Sequence, residues 1–256
     1  MTQRHVTANE GPDTYYHPVG KKSLEAGSRM SLLVGEGSAE YQRVLECRIP
    51  IVSEEALQNY NNNNRGDLPY KKGEVSDVWE VLRFRNPLGF PMTTAPATVT
   101  AQGRFLGQNT SYWTGAGAEL TVPVTRAMSV QVVSDEQERD GNIEPWQIID
   151  PSGEIIENKA KRPTLYRFFN DGSTYRKQVI DAKITVKNLR SERVKIRLTR
   201  LIAGESFHAE IMPEIKILAD RTSQNFNRNT ELKWDLTPEP GETLVIDFSY
   251  ERFIRH

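Results

Sequence analysis

The sequence predicts a mainly β protein of two antiparallel β-rich modules, the C-terminal one an immunoglobulin-like sandwich. Three observations predict it. Apolar and polar residues alternate with period two wherever a pattern can be read. Pro, Gly, Asn and Asp punctuate those runs at short intervals, as antiparallel hairpins require. No amphipathic stretch reaches the ten or so residues that a crossover helix between parallel strands needs.

Taken in order, residues 1–15 are polar, lack the apolar core of a secretory signal and read as a flexible lead-in. Residues 16–133 form the first β-rich module, with strands expected at 32–34, 41–51, 78–84, 97–101, 104–106, 120–124 and 128–133. Gln102-Gly103 is a tight-turn pair joining two of them. A short helix is expected after Ser53, which can cap it, with Glu54 and Glu55 in its first turn. The asparagine run 61–64 ends that helix as a polar loop. Residues 134–163 are charged, carry Pro145, Pro151 and Pro163, and read as a linker or long excursion.

Residues 164–256 form the C-terminal module. Asp171-Gly172 marks a turn between runs 165–169 and 175–180. Ile184 and Val186 alternate with lysines, the chain turns at 188–192, and Val194, Ile196 and Leu198 alternate with basic residues. Charges on that second face discourage edge pairing. Leu232, Trp234 and Leu236 precede a turn at Pro238-Glu239-Pro240-Gly241, after which Leu244, Ile246, Phe248 and Tyr250 share one face of a last strand. That is a hairpin with one side buried.

Composition narrows the function. Lys and Arg total 33 against 34 Asp and Glu, a net charge of −1. Such a balance gives no general attraction to phosphate backbones or anionic lipid, so no nucleic-acid partner is expected. No run approaches the roughly 18 apolar residues of a membrane helix, so no membrane insertion is expected. One cysteine, Cys47, excludes an intramolecular disulfide framework and a multi-cysteine metal site.

Few residues form a chemical constellation, and no cofactor, metal or catalytic residue is assigned. Gly35-Glu36-Gly37 and Gly115-Ala116-Gly117 each lack the third glycine and the strand-to-helix setting of a dinucleotide cradle. His208 and Glu210, with Glu214 nearby, would share a face of one strand, yet catalytic zinc takes three protein ligands, so an exposed polar face is the plainer reading. Cys47 sits in a strand run and reads as a packed thiol rather than a nucleophile. A calcium-stabilised structural module, using acidic loops such as residues 135–140, is a third reading. Tyr112-Trp113, in a glycine-rich loop, is an aromatic pair able to stack on a sugar or a partner protein, though core filling is the commoner use.

The order of several segments carries a resemblance. Residues 86–99 (NPLGFPMTTAPATV) are followed by 103–107 (GRFLG), Tyr112, Gly117, 120–124 (LTVPV) and 130–132 (VQV). Later come 184–188 (ITVKN), 194–198 (VKIRL), 232–236 (LKWDL), Pro240-Gly241-Glu242 and 248–251 (FSYE). This resembles the C-terminal domain of mucoidy-inhibitor-A-like proteins, a large bacterial family of uncharacterised function. The resemblance covers residue 78 to the C-terminus, with weaker echoes in 24–51, and the coiled-coil and N-terminal domain of longer relatives have no counterpart here. It implies a β-rich module ending in an antiparallel sandwich and supplies no catalytic residues.

The expectation is therefore a non-enzymatic β-sandwich protein acting in binding or assembly, perched by its resemblance at the bacterial cell envelope, with a protein or glycan as partner. The alternative is a carbohydrate-binding or carbohydrate-processing module. The sequence specifies neither compartment nor oligomeric state.

Overall fold

The computed structural model describes residues 15, 16, 18, 20–51, 73–139, 146–149, 155–159, 165–167, 174–221 and 227–255. Among them the secondary structure is all strand: no helix is present, and so none long and apolar enough to cross a membrane. The helix expected after Ser53, the asparagine run 61–64 and the turn at Asp171-Gly172 lie outside the described residues. The chain divides into two compact units, one built from residues 1–44 and 79–126, the other from 45–78 and 127–256.

The first unit contains the start of β1 (Tyr41–Ile49), most of β3 (Val78–Arg85), the hairpin β4 (Ala95–Ala101) and β5 (Arg104–Ser111), and β6 (Glu119–Arg126). β3 and β6 pair antiparallel, with Phe84 opposite Leu120. The β4–β5 turn is Gln102-Gly103 as expected, both residues left-handed at φ 50 and 73, the geometry whose twist matches that of the strands. The hairpin lies close on β6: a Cβ at Gly107 would stand 2.0 Å from the Val124 carbonyl oxygen, so only glycine fits there. Residues 32–34, expected as a strand, form none, and among the described residues nothing covers their apolar side chains. Tyr15, at the end of the lead-in, stacks on Phe90 at 5.3 Å.

The second unit is a sandwich. One sheet runs β14 (Glu214–Ala219), β15 (Asn229–Leu236), β12 (Ile196–Ala203) and the end of β1. The other runs β13 (Glu205–Ala209), β16 (Thr243–Arg255), β11 (Thr174–Asn188), β7 (Val130–Glu138) and β2 (Glu74–Ser76), with β10 (Leu165–Arg167) also on β11. β8 (Trp146–Ile149) and β9 (Ile155–Lys159) pair with each other. The segment 134–163, expected as a linker or excursion, thus gives its first five residues to β7 and carries the β8–β9 hairpin. β1 pairs with β12 in parallel, Cys47 opposite Leu198.

Alternation decides the packing. Ile180, Ala182, Ile184 and Val186 of β11 and Ile246, Phe248 and Tyr250 of β16 face Leu198, Leu232 and Trp234 of the other sheet, with Trp234 and Phe248 rings 5.7 Å apart. Each such fully buried aliphatic side chain contributes about 1.5–3 kcal/mol. The outward positions Lys183 and Lys187 are exposed, as the alternation requires.

Candidate functional site

Local structure in the first unit is organised by one buried asparagine. Asn86 ends β3; its Nδ2 donates to the carbonyls of Phe90, Thr114 and Gly115 at 3.0, 3.2 and 3.2 Å, while its Oδ1 accepts from the Leu88 amide at 3.0 Å. A side-chain amide has two donors and an acceptor, so one residue ties the 86–92 loop to the turn that starts β6. Met92 and Thr114 exchange two backbone hydrogen bonds of 2.9 Å, the Trp113 amide donates to Thr94 Oγ1, and Thr114 Oγ1 donates to the Tyr112 carbonyl.

The consequence is a pinned loop with two displayed aromatics. Ser111 and Thr114 are buried, whereas Tyr112 between them is 68 % exposed and Trp113 46 %. The Trp113 ring lies over Gly115, where a Cβ would reach within 3.7 Å of it. The aromatic pair singled out in the sequence is thus a surface feature. A rigid aromatic loses little conformational entropy on contact, which is what makes such residues effective in binding surfaces. Gly35 and Gly37 are explained by the same loop: Cβ atoms there would meet Phe90 at 2.6 Å and Pro87 at 2.9 Å.

Beside it, a pocket of about 490 Å³ is lined in part by Ser38, Tyr41, Arg83, Arg85, Glu40 and Glu119, with Arg83 Nε 3.5 Å from Glu119 Oε1. Its charges are balanced two against two, so it presents no strong field to an ion.

The second unit uses the same closing device. Asn188 ends β11, is 0 % exposed, and donates through Nδ2 to the carbonyls of Glu192, Pro238 and Glu239 at 2.9, 3.2 and 3.0 Å; Oδ1 accepts from the Arg190 amide at 3.0 Å. The turn residues match too, Gly117 and Gly241 having φ 70 and 73.

His208, Glu210 and Glu214 are not brought together. β13 ends at Ala209 after a bulge between Ser206 and His208, and Glu214 begins β14 in the opposite sheet of the sandwich. The shared face expected for positions 208, 210 and 214 fails because the strand does not continue. Among the described residues no group of three or more His, Cys, Asp or Glu is placed to hold a metal. His208 instead lies opposite Ser249, near a polar cluster on the outer face. Ser249 Oγ donates to Asp181 Oδ1 at 2.8 Å, and Arg139 donates to Asp181 through Nε at 2.9 Å and to Ser249 Oγ at 3.1 Å. The hydrogen bond from Arg139 holds the Asp181 carboxyl below its ordinary range; partial burial opposes it and the Ser249 hydroxyl adds to it. The serine proton points at a carboxylate already paired with arginine, which is not the base-activated arrangement of a nucleophile.

Cys47 is buried at the β1–β12 pairing, and burial, with Asp77 adding, pushes its thiol up to about 12. At neutral pH it stays protonated and unreactive. The acidic run expected as a loop is strand β7 as far as Glu138: Glu136 faces inward, where it accepts from Arg200 and from Tyr250 Oη (2.9 Å), and Glu138 accepts from Gln178 at 2.6 Å. Gln178 in turn accepts from Arg252 Nε at 2.7 Å. One end of the sandwich interior is therefore a charge-paired network, with Arg200 also donating to the Pro50 carbonyl. Of these residues sequence alternation put Tyr250 on the buried face of its strand, whereas Glu136 and Glu138 fell in the segment expected as an acidic loop. Scans of family models, of curated proteins and of solved structures returned no match to this chain.

Proposed function

We propose that this chain is a non-enzymatic binding and assembly protein, working at the bacterial cell envelope through the Tyr112–Trp113 surface of its first unit. The observation that carries the reading is the display of two large aromatics on a loop fixed by Asn86 and Thr94. Such a surface buys contact area at small entropic cost. Further support comes from the polar groups: Ser249, Asp181, Arg139, Glu136 and Arg200 are engaged with one another or with nearby protein groups in ways that serve the fold. The kinship with mucoidy-inhibitor-A-like proteins belongs to the same proposal, as does the immunoglobulin-like character of the second unit, which the facing of two sheets over Trp234 and Phe248 favours.

The test is capture from a detergent-solubilised bacterial envelope fraction by the chain and by its Tyr112→Ala/Trp113→Ala variant. A partner retained by the first and lost at least about tenfold by the second supports the reading. Equal retention by both, or a substrate turnover abolished by one substitution elsewhere, refutes it. A glycan reading is favoured by the same aromatics, since a tryptophan face stacks on a sugar ring. It requires oligosaccharides that quench Trp113 emission, and a glycan array without hits removes it.

A further inference from the structure

We propose that two copies of this chain pair edge to edge through β14, antiparallel, in the register that sets Ile215 opposite Ile215 of the second copy. The inference uses a different element from the Tyr112–Trp113 surface, so each can fail alone.

β14 is the terminal strand of its sheet, and among the described residues it pairs only with β15. All six of its residues are exposed, Ile215 and Ile217 by 50 % each. Ile215 lies opposite Leu232 and Ile217 opposite Thr230, both buried, so the two isoleucines prolong the inner face of the sheet beyond its cover. On the outer face Glu214 lies opposite Lys233 and Lys216 opposite Glu231. An uncovered strand of this kind is a template for another strand.

Symmetry restricts how a second copy can add. A two-fold axis perpendicular to the sheet keeps each side chain on its own face, so opposed residues have the same parity. Centring the axis on Glu214 opposes Glu214 to itself, and centring it on Lys216 opposes two lysines. Like charges directly opposite are unfavourable. Centring it on Ile217 puts the irregularity of β14 between Ile217 and Ala219 inside the new ladder and sets no charge opposite its complement. Centring it on Ile215 is different: Glu214 of each copy meets Lys216 of the other, twice.

The charges then alternate across four strands, Glu231 and Lys216 of one copy followed by Glu214 and Lys233 of the second. On the inner face Ile215, 50 % exposed, packs on its own equivalent. Lys216 by itself would guard the edge; opposite Glu214 its charge is matched. Pro213, with no N–H to give, ends the ladder.

The experiment is sedimentation velocity of the chain over a range of concentrations, with charge variants. Dimerisation is expected, weakened about tenfold or more by Lys216→Glu or Glu214→Lys alone, because symmetry counts each change twice. The double variant Glu214→Lys/Lys216→Glu should dimerise more tightly than either single one, although its pairs with Lys233 and Glu231 within the chain are not restored. Mild oxidation should cross-link Ile215→Cys and not Ile217→Cys, with the buried Cys47 taking no part. A monomer at all concentrations overturns the proposal. So does a dimer indifferent to the charge changes, equal cross-linking at both positions, or a dimer lost in Tyr112→Ala/Trp113→Ala, which would assign association to the aromatic surface instead.

Discussion

Replacing Asn188 by alanine should cost the second unit about 3 kcal/mol. The two Nδ2 protons are shared by three carbonyls, and Oδ1 accepts one amide, so three net hydrogen bonds vanish in a place water does not reach. At about 1 kcal/mol each the loss is about 3 kcal/mol, a large part of the 5–15 kcal/mol that holds a typical domain. With a urea m-value of about 2 kcal/mol/M, the midpoint falls by about 1.5 M. Asn188→Asp, nearly the same shape, should be worse than alanine near pH 7, since a carboxylate donates nothing and faces three carbonyl oxygens. Its penalty should shrink in acid, where a protonated carboxyl regains one donor. Urea titrations followed by circular dichroism decide the matter. A loss under about 1 kcal/mol for Asn188→Ala, or wild-type stability for Asn188→Asp, would refute the clamp. Asn86→Ala is the matching change in the first unit and should also loosen the Tyr112–Trp113 loop, read as a red shift and faster quenching of Trp113 emission.

Arg200→Met or Glu136→Met alone should cost about 3–5 kcal/mol by stranding a buried charge, while the double variant recovers most of it, short of the Tyr250 hydrogen bond; urea midpoints of the three variants test this. Cys47 should resist thiol reagents at pH 8 until the chain unfolds; because its pKa rises from an ordinary 9.0 to about 12 on folding, the stabilisation is complete below pH 9.0 and is lost as pH rises toward 12. Thiol labelling against denaturant and midpoints on the alkaline limb measure the two parts. Asp181, depressed below its ordinary 3.8, contributes stability above that value that is lost as pH falls through the folded value. The stability gap between the wild type and Asp181→Asn should therefore be widest near pH 7 and close in acid.

Half-buried strands announce themselves, and β16, β15 and β3 fall where alternation placed them, as does the Gln102-Gly103 hairpin. What escaped depends on chain far away. Asn86 and Asn188 are polar residues at strand ends, and nothing local says that their amides will meet carbonyls 28 and 50 residues further on. The parallel pairing of β1 with β12 is likewise set by tertiary packing rather than by any turn. Ile215 and Ile217 alternate with charges like any covered strand, yet their cover is absent from the described residues; Leu32 and Leu33 are apolar and stay exposed among those same residues. The bulge in β13 between Ser206 and His208, and the end of that strand at Ala209, leave no trace in composition. For the aromatic pair, sequence located the residues but not their exposure, which follows from Ser111 and Thr114 being the ones drawn inward.

The two asparagine clamps explain why the displayed features lie where they do. Each clamp holds the end of one strand against the turn that begins its antiparallel partner, β3 with β6 in the first unit and β11 with β16 in the second. Once those ends are tied, the chain between them is free to vary: lengthening it from 28 to 50 residues adds only about 0.5 kcal/mol of closure entropy. In the first unit that chain is the β4–β5 hairpin, leading to Tyr112 and Trp113. In the second it is β12, β13, β14 and β15, which include the uncovered edge. Both surfaces offered for binding therefore belong to the variable chain between the arms of a clamp, while the clamp residues themselves are buried and committed to the backbone. A scaffold of this design can change what it displays without disturbing what closes it, as functional residues on loops held by a rigid frame require.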